Sequence, residues 1–98
     1  MNKSRAIVMK AKDNVATAAE EILAGSDVLV NIGSQPLTIH VVETIPFGHK
    51  FAIKNIQKDE KIIKYGEVIG EATADIQIGQ HTHVHNLIGC RGRGDLQA

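Results

Sequence analysis

The segment His81-Thr82-His83-Val84-His85-Asn86 places three of the chain's five histidines at alternate positions. On an extended strand alternate side chains share a face, so three imidazoles would line one side of a sheet. Neighbours on that face lie about 6.5–7 Å apart along the strand, close enough for two rings to converge on one ion. The outer pair, His81 and His85, lie about 13 Å apart on a straight strand and cannot both reach it. One adjacent pair completed by outside ligands is the geometric expectation. Neutral imidazole suits Fe, Mn, Zn and Ni alike, so the motif does not choose its metal. Two readings of the segment stand side by side: a metal or anion site, or a polar, solvent-facing strand whose histidines hydrogen-bond locally.

Gly48-His49-Lys50 follows Pro46-Phe47 at an expected tight turn, and an imidazole beside an ammonium can grip a carboxylate or phosphate. Read alone, it is equally an ordinary exposed turn. Lys64-Tyr65-Gly66 holds the only Tyr, either a proton donor or a ring that packs while its hydroxyl stays wet. His40 alternates with apolar neighbours and reads as structural. Cys90 lies near Arg91 and Arg93, which favours thiolate, but no catalytic His/Asn arrangement surrounds it. Arg93-Gly94-Asp95 matches a cell-adhesion tripeptide by chance. The sequence holds no phosphate loop, dinucleotide fingerprint or serine elbow.

These groups must be positioned by a small framework. Ninety-eight residues make one domain, and a chain of this size buries roughly 60–65% of its unfolded surface. There is no Trp and there are two Phe, so the core is built from Ile, Val, Leu and Ala. Eleven basic and eleven acidic side chains balance to zero. Without a basic stripe interleaved with aromatics, nucleic acid is not an expected partner. No apolar run is long enough for a bilayer and the start lacks a signal-peptide stretch, so no membrane association is expected. A single cysteine cannot form an internal disulfide, which fits a reducing cytoplasm.

Ala6-Ile7-Val8-Met9 suits a buried strand. Asp13 is placed to cap a helix near residues 13–24, with Val15, Ala18, Ala19, Ile22 and Leu23 on one face and Gly25 as its stop. From Val28 the period becomes two: Val28, Val30 and Ile32 run into a Gly33-Ser34 turn, and Leu37, Ile39 and Val41 return. Short β segments punctuated by glycine follow. A weak pattern recurs as Thr44-Ile45-Pro46-Phe47-Gly48, Asn55-Ile56-Gln57-Lys58-Asp59 and Asp75-Ile76-Gln77-Ile78-Gly79, in which Ile anchors the chain just before a tight turn. Residues 89–98 read as a flexible C-terminal tail.

Ile45-Pro46-Phe47-Gly48-His49-Lys50-Phe51-Ala52-Ile53, Ile63-Lys64-Tyr65-Gly66, Ile69-Gly70 and Gly79-Gln80-His81-Thr82-His83-Val84-His85-Asn86 together resemble the SAF domain of the altronate/galactarate dehydratase family. The same domain forms the small subunit of sulfolactate sulfo-lyase. The resemblance runs from about Arg5 to Asn86, with Gln80 where the family often has Glu and Thr82 where Val is commoner. It implies a mainly β, β-clip (SAF-like) fold over residues 1–88. It also implies a divided enzyme whose large catalytic dehydratase subunit carries most of the machinery, with a homo-oligomer compatible with the arrangement.

The implied activity is that of a hydro-lyase dehydrating a sugar acid, altronate or galactarate, to a 2-keto-3-deoxy acid with a divalent metal, Fe(II) or Mn(II). On that resemblance His81, His83 and His85 are expected metal ligands, with His83 and His85 catalytic. Asn86 is expected among the substrate-binding residues and to orient one of these histidines, with His49, Lys50 and Lys64 to hold the substrate carboxylate. Loss of sulfite instead of water, or a non-catalytic metal- or ligand-binding module, are the alternatives.

Overall fold

The computed structural model describes residues 6–8, 10–32 and 35–89, and every regular element in them is a strand. The fold is therefore mainly β, as expected for a SAF-like domain. The helix expected near residues 13–24 is absent. Strand β2 (Val15–Ala18) occupies its first half, paired with β1 (Ala6–Ile7) on one side and β5 (Lys50–Ala52) on the other. Alanine fits either period, whereas Val15 and Thr17 are β-branched and favour the extended chain. Pairing on both edges then overrides the helical spacing. Ala19 and Leu23, assigned to the buried helical face, are exposed. Asp13 caps no helix: it is fully buried and its carboxylate accepts from Lys10 N (3.2 Å) and Gly66 N (2.7 Å).

β8 (His81–Thr82) completes a four-stranded sheet in the order β1-β2-β5-β8. This sheet separates two apolar clusters. Ala6, Ala16, Ala18 and Phe51 face a cluster with Val28, Val30, Ile39 and Val41 from the hairpin β3 (Asp27–Ile32) and β4 (Gln35–His40) and the stretch just beyond it. Val15 and Ala52 alternate to the other side and join Ile56, Ile62, Ala72 and Ile76. Ile62 and Ala72 come from β6 (Lys61–Lys64) and β7 (Glu67–Ala72), which form a second sheet with β9 (Leu87–Gly89). Thr17, Lys50 and Thr82 are cross-strand neighbours in the first sheet.

The repeated Ile-turn pattern is real, and it has four copies. Besides the three legible ones, Glu21-Ile22-Leu23-Ala24-Gly25 makes the same turn inside the misread helix. Ile22 and Ile45 exchange backbone hydrogen bonds at 2.9 and 2.8 Å, and Ile56 and Ile76 do so at 2.8 and 2.7 Å. In each copy the residue at the turn's left-handed position, Gly25, Gly48, Asp59 or Gly79, has φ between 76° and 91°. Gly79 is the most constrained of these, because a Cβ there would overlap the carbonyl of His40. Its turn delivers the chain into β8, so it fixes where the histidines begin.

Tyr65 and Gly66, with φ of 54° and 81°, form the two-residue turn between β6 and β7. Gly70 lies inside β7 and lets the backbone of Ile88 pass close by. Positions 90–98, most of the expected tail, Cys90 and the Arg93-Gly94-Asp95 triplet among them, lie outside the described residues, as does the Gly33-Ser34 turn. Among the described residues no helix is long and apolar enough to cross a membrane.

Candidate functional site: a four-histidine cluster

β5 and β8 run antiparallel with Lys50 opposite Thr82 and Phe51 opposite His81. One step further along this register brings His49 against His83, with ring centroids 4.3 Å apart and planes 21° from parallel. His81 stacks beside both, 5.1 Å from His49 and 5.4 Å from His83. His49 Nδ1 and His81 Nε2 are 2.9 Å apart and share a hydrogen bond.

The expected single extended segment is not what places the rings. Strand geometry stops at Thr82, and residues 83–86 turn back on themselves. Asn86 holds that turn. Its amide N–H donates to His83 O (3.0 Å), its Oδ1 accepts from His83 N (2.9 Å), and its Nδ2 donates to His81 O (2.9 Å). Asn86 is only 6% exposed, so these bonds are made away from water. The turn returns His85 to 5.3 Å from His81, ring to ring, instead of the separation a straight strand imposes. Asn86 thus positions the backbone of the histidine segment and not an imidazole.

Two sets of donor atoms gather within 4.8 Å of one another: His49, His81 and His83, and Glu43, His81 and His85. The expected ligands His81, His83 and His85 are therefore divided between two groups that share His81. His49, expected to hold a carboxylate, stands among the imidazoles. Glu43 was not legible at all. It lies on the bend after β4, where Val42 N donates to Gly79 O (3.0 Å) and Glu43 Oε2 accepts from His81 N (3.3 Å).

The electrostatics favour the neutral forms of His81 and His83. Burial lowers the pKa of His81, and the charges of His49, His85 and His83 lower it further against a smaller opposing pull from Glu43. Burial, then His49, Lys50 and His85, lower that of His83. Neutral imidazole is the form that ligates metal. Lys50, half-buried, is also held below the ordinary lysine range, by burial first and by Lys64 second. Lys64 Nζ sits 5.1 Å over the Tyr65 ring. His40 stands apart, exposed and hydrogen-bonded through Nδ1 to Asp27 Oδ1 at 2.9 Å.

Residues 4–89 match the model of the altronate/galactarate dehydratase SAF domain, a span that contains every residue of the cluster. The chain belongs to this family. It is 42% identical over 80 residues to altronate dehydratase of Escherichia coli K12, covering 82% of this chain and 15% of that enzyme. It is 40% identical over 75 residues to altronate dehydratase of Bacillus subtilis 168, covering 76% of this chain and 14% of the enzyme. The chain thus spans only a small fraction of the altronate dehydratases it matches. A third relative is the (2R)-sulfolactate sulfo-lyase subunit alpha of Chromohalobacter salexigens, 45% identical over 51 residues, which are 52% of this chain and 54% of that subunit. The association of this SAF domain is with lyases.

Proposed function

We propose that the chain is the small subunit of a cytoplasmic hydro-lyase that dehydrates a sugar acid of the altronate or galactarate type, working with a large catalytic subunit. The observation that carries this reading is the gathering of His49, His81, His83 and His85 beside Lys50, within a domain otherwise matched to dehydratases.

The reaction is a β-elimination. A proton leaves the carbon bearing the carboxylate, hydroxide leaves the next carbon and departs as water, and the resulting enol becomes a 2-keto-3-deoxy acid. The donor set, imidazoles with one carboxylate, fits a divalent metal such as Fe(II) or Mn(II), held by His81 with His83, His85 or their neighbours. When bound there, such an ion would supply Lewis acidity that polarises the leaving hydroxyl of a substrate coordinated to it. His83 and His85 face the reacting atoms, and the lowered pKa of His83 keeps its ring neutral, the form that can ligate the ion. Asn86 holds both histidines in place through the turn. Lys50, Lys64 and His49 bind and orient the carboxylate. The base that removes the carbon-bound proton is supplied by the large subunit.

A second reading, loss of sulfite from sulfolactate, is favoured by one observation: that relative is itself a short subunit, half of which this chain matches. Mixing the chain with its candidate large subunit separates the two. Keto-acid formation from altronate or galactarate is expected only in the mixture. Sulfite release from sulfolactate would select the second reading, and robust turnover by either subunit alone would sink the divided enzyme. Metal binding without turnover on any of these acids would leave a binding module.

A further inference from the structure

We infer that Glu43 is a metal ligand: with His81 and His85 it forms a second, carboxylate-containing set, distinct from the three-imidazole set and relatively better suited to Mn(II) than that set is. This rests on the reading that the cluster takes a divalent metal, and deepens it by separating two overlapping sites. His49, His81 and His83 offer three imidazole nitrogens, a set that suits Zn(II) without distinguishing it from its neighbours. Glu43, His81 and His85 offer two nitrogens and an anionic oxygen, a set found on Zn(II) as well as Fe(II), whose oxygen makes it better suited to Mn(II) and Fe(II) than three imidazoles are. Because His81 belongs to both, one ion occupies one set at a time.

Several independent features converge on the second set. Donor atoms on one ion, each bound at about 2.0–2.2 Å, sit about 3–4 Å apart. The present limit of 4.8 Å therefore needs only a small closing movement. Glu43 is held in place by the backbone N–H of His81, so its carboxylate is aimed before any ion arrives. His85 reaches the set only because residues 83–86 turn, and the turn is stabilised by three hydrogen bonds from one buried asparagine. A straight strand, with His81 and His83 unchanged, would serve the three-imidazole set equally well; the turn is needed for His85. Finally, His85 is exposed while the other five-membered rings of the cluster are half-buried, so this set is the one open to a chelating ligand from solvent.

The test uses the full chain with two probe ions: Mn(II), followed by loss of its free electron-paramagnetic signal, and Zn(II), followed by competition with a chromophoric chelator. Glu43→Gln keeps an acceptor for His81 N, and His85→Gln alters an exposed side chain, so one variant checks the other for folding. Each is expected to weaken Mn(II) binding by at least about tenfold, the lower end of what loss of even a supporting group costs. Zn(II) binding should change by less than about threefold, the effect of one screened surface charge. His49→Ala should show the reverse preference. If both variants hold Mn(II) as tightly as the parent, or lose Mn(II) and Zn(II) equally, the second set is overturned while metal binding at the cluster stands. If the parent binds neither ion, the metal reading fails and this inference with it.

Discussion

His49 and His83 stack at 4.3 Å because they continue the cross-strand register of β5 and β8 by one residue, although 34 positions separate them (83 minus 49). The cluster is a product of strand pairing more than of the alternating sequence. His49 therefore belongs to the same functional unit as the histidine segment. On the proposed function, His49→Ala, His83→Ala and His85→Ala should each lower turnover of the reconstituted lyase by about 10- to 100-fold. His40→Ala, whose ring bonds Asp27 on the exposed hairpin, should leave turnover nearly unchanged. For His85→Ala, at an exposed position, stability should stay within about 0.5 kcal/mol of the parent. Full activity in all three cluster variants, in a complex that still assembles, would reduce the motif to a polar turn.

Asn86→Ala should be more damaging to the fold than any single histidine change. It leaves His83 N without its acceptor and His81 O without its donor in a buried setting. An unsatisfied buried group costs about 1–3 kcal/mol. The melting temperature should fall, and the ring resonances of His81, His83 and His85 should lose their mutual contacts. Asn86→Asp keeps the acceptor and loses the donor, so it should lie between. Unchanged melting in the alanine variant would mean the turn is held by something else.

How much of this was legible beforehand follows from range. Alternation read the β3–β4 pair as two strands, because Val28 and Val30 bury one face of β3 and Ile39 anchors β4 in the same cluster, although Leu37 is exposed. Val15 to Leu23 misled, because alanines satisfy a helical and an extended period at once, and only pairing with β1 and β5 decides between them. The turn at residues 83–86 was hidden for another reason: it contains neither Gly nor Pro, and a side chain two positions beyond Val84 closes it. Glu43 had no local signal at all. It meets His81 across 38 residues, and only the turn at Gly79 brings the two segments together.

The lowered pKa values of His81 and His83 give a pH signature. A histidine whose folded pKa lies below its unfolded value of about 6.5 binds fewer protons folded than unfolded. Stability therefore rises with pH between the folded pKa and about 6.5, and is lost as pH falls through that window. Melting temperatures of the free chain should drop on going from pH 7 toward pH 5. In a His81→Gln/His83→Gln double variant the drop should be smaller. A steeper drop in the double variant would contradict the assigned direction.

Thr17 carries a buried hydroxyl with no hydrogen-bond partner among the described residues. It sits opposite Lys50 in the sheet, on the same face. Thr17→Val removes the unsatisfied oxygen while keeping β-branching, so it should be neutral or stabilising by up to about 1 kcal/mol. Chemical denaturation of the free chain measures this. A clear loss of stability would show that the hydroxyl is bonded in solution, most simply to water.

Lys50 offers the clearest separation of folding from function. Its ammonium is half-buried, and burial together with Lys64 lowers its pKa, so the charged form is held at a cost to the folded chain. With the folded pKa below the unfolded value, stability contributed through this group increases as pH rises toward 10.5 and is weakest when both states are charged. Lys50→Met keeps the stem and removes the charge, so the free chain should melt higher at neutral pH. If the ammonium binds the substrate carboxylate, the same variant in the reconstituted enzyme should raise KM by about tenfold or more, while Zn(II) binding by the three imidazoles is kept. Higher stability with unchanged KM would leave Lys50 as a structural liability without a substrate role. Lower stability would mean that the ammonium has a partner that outweighs its burial, and the charge argument would fall.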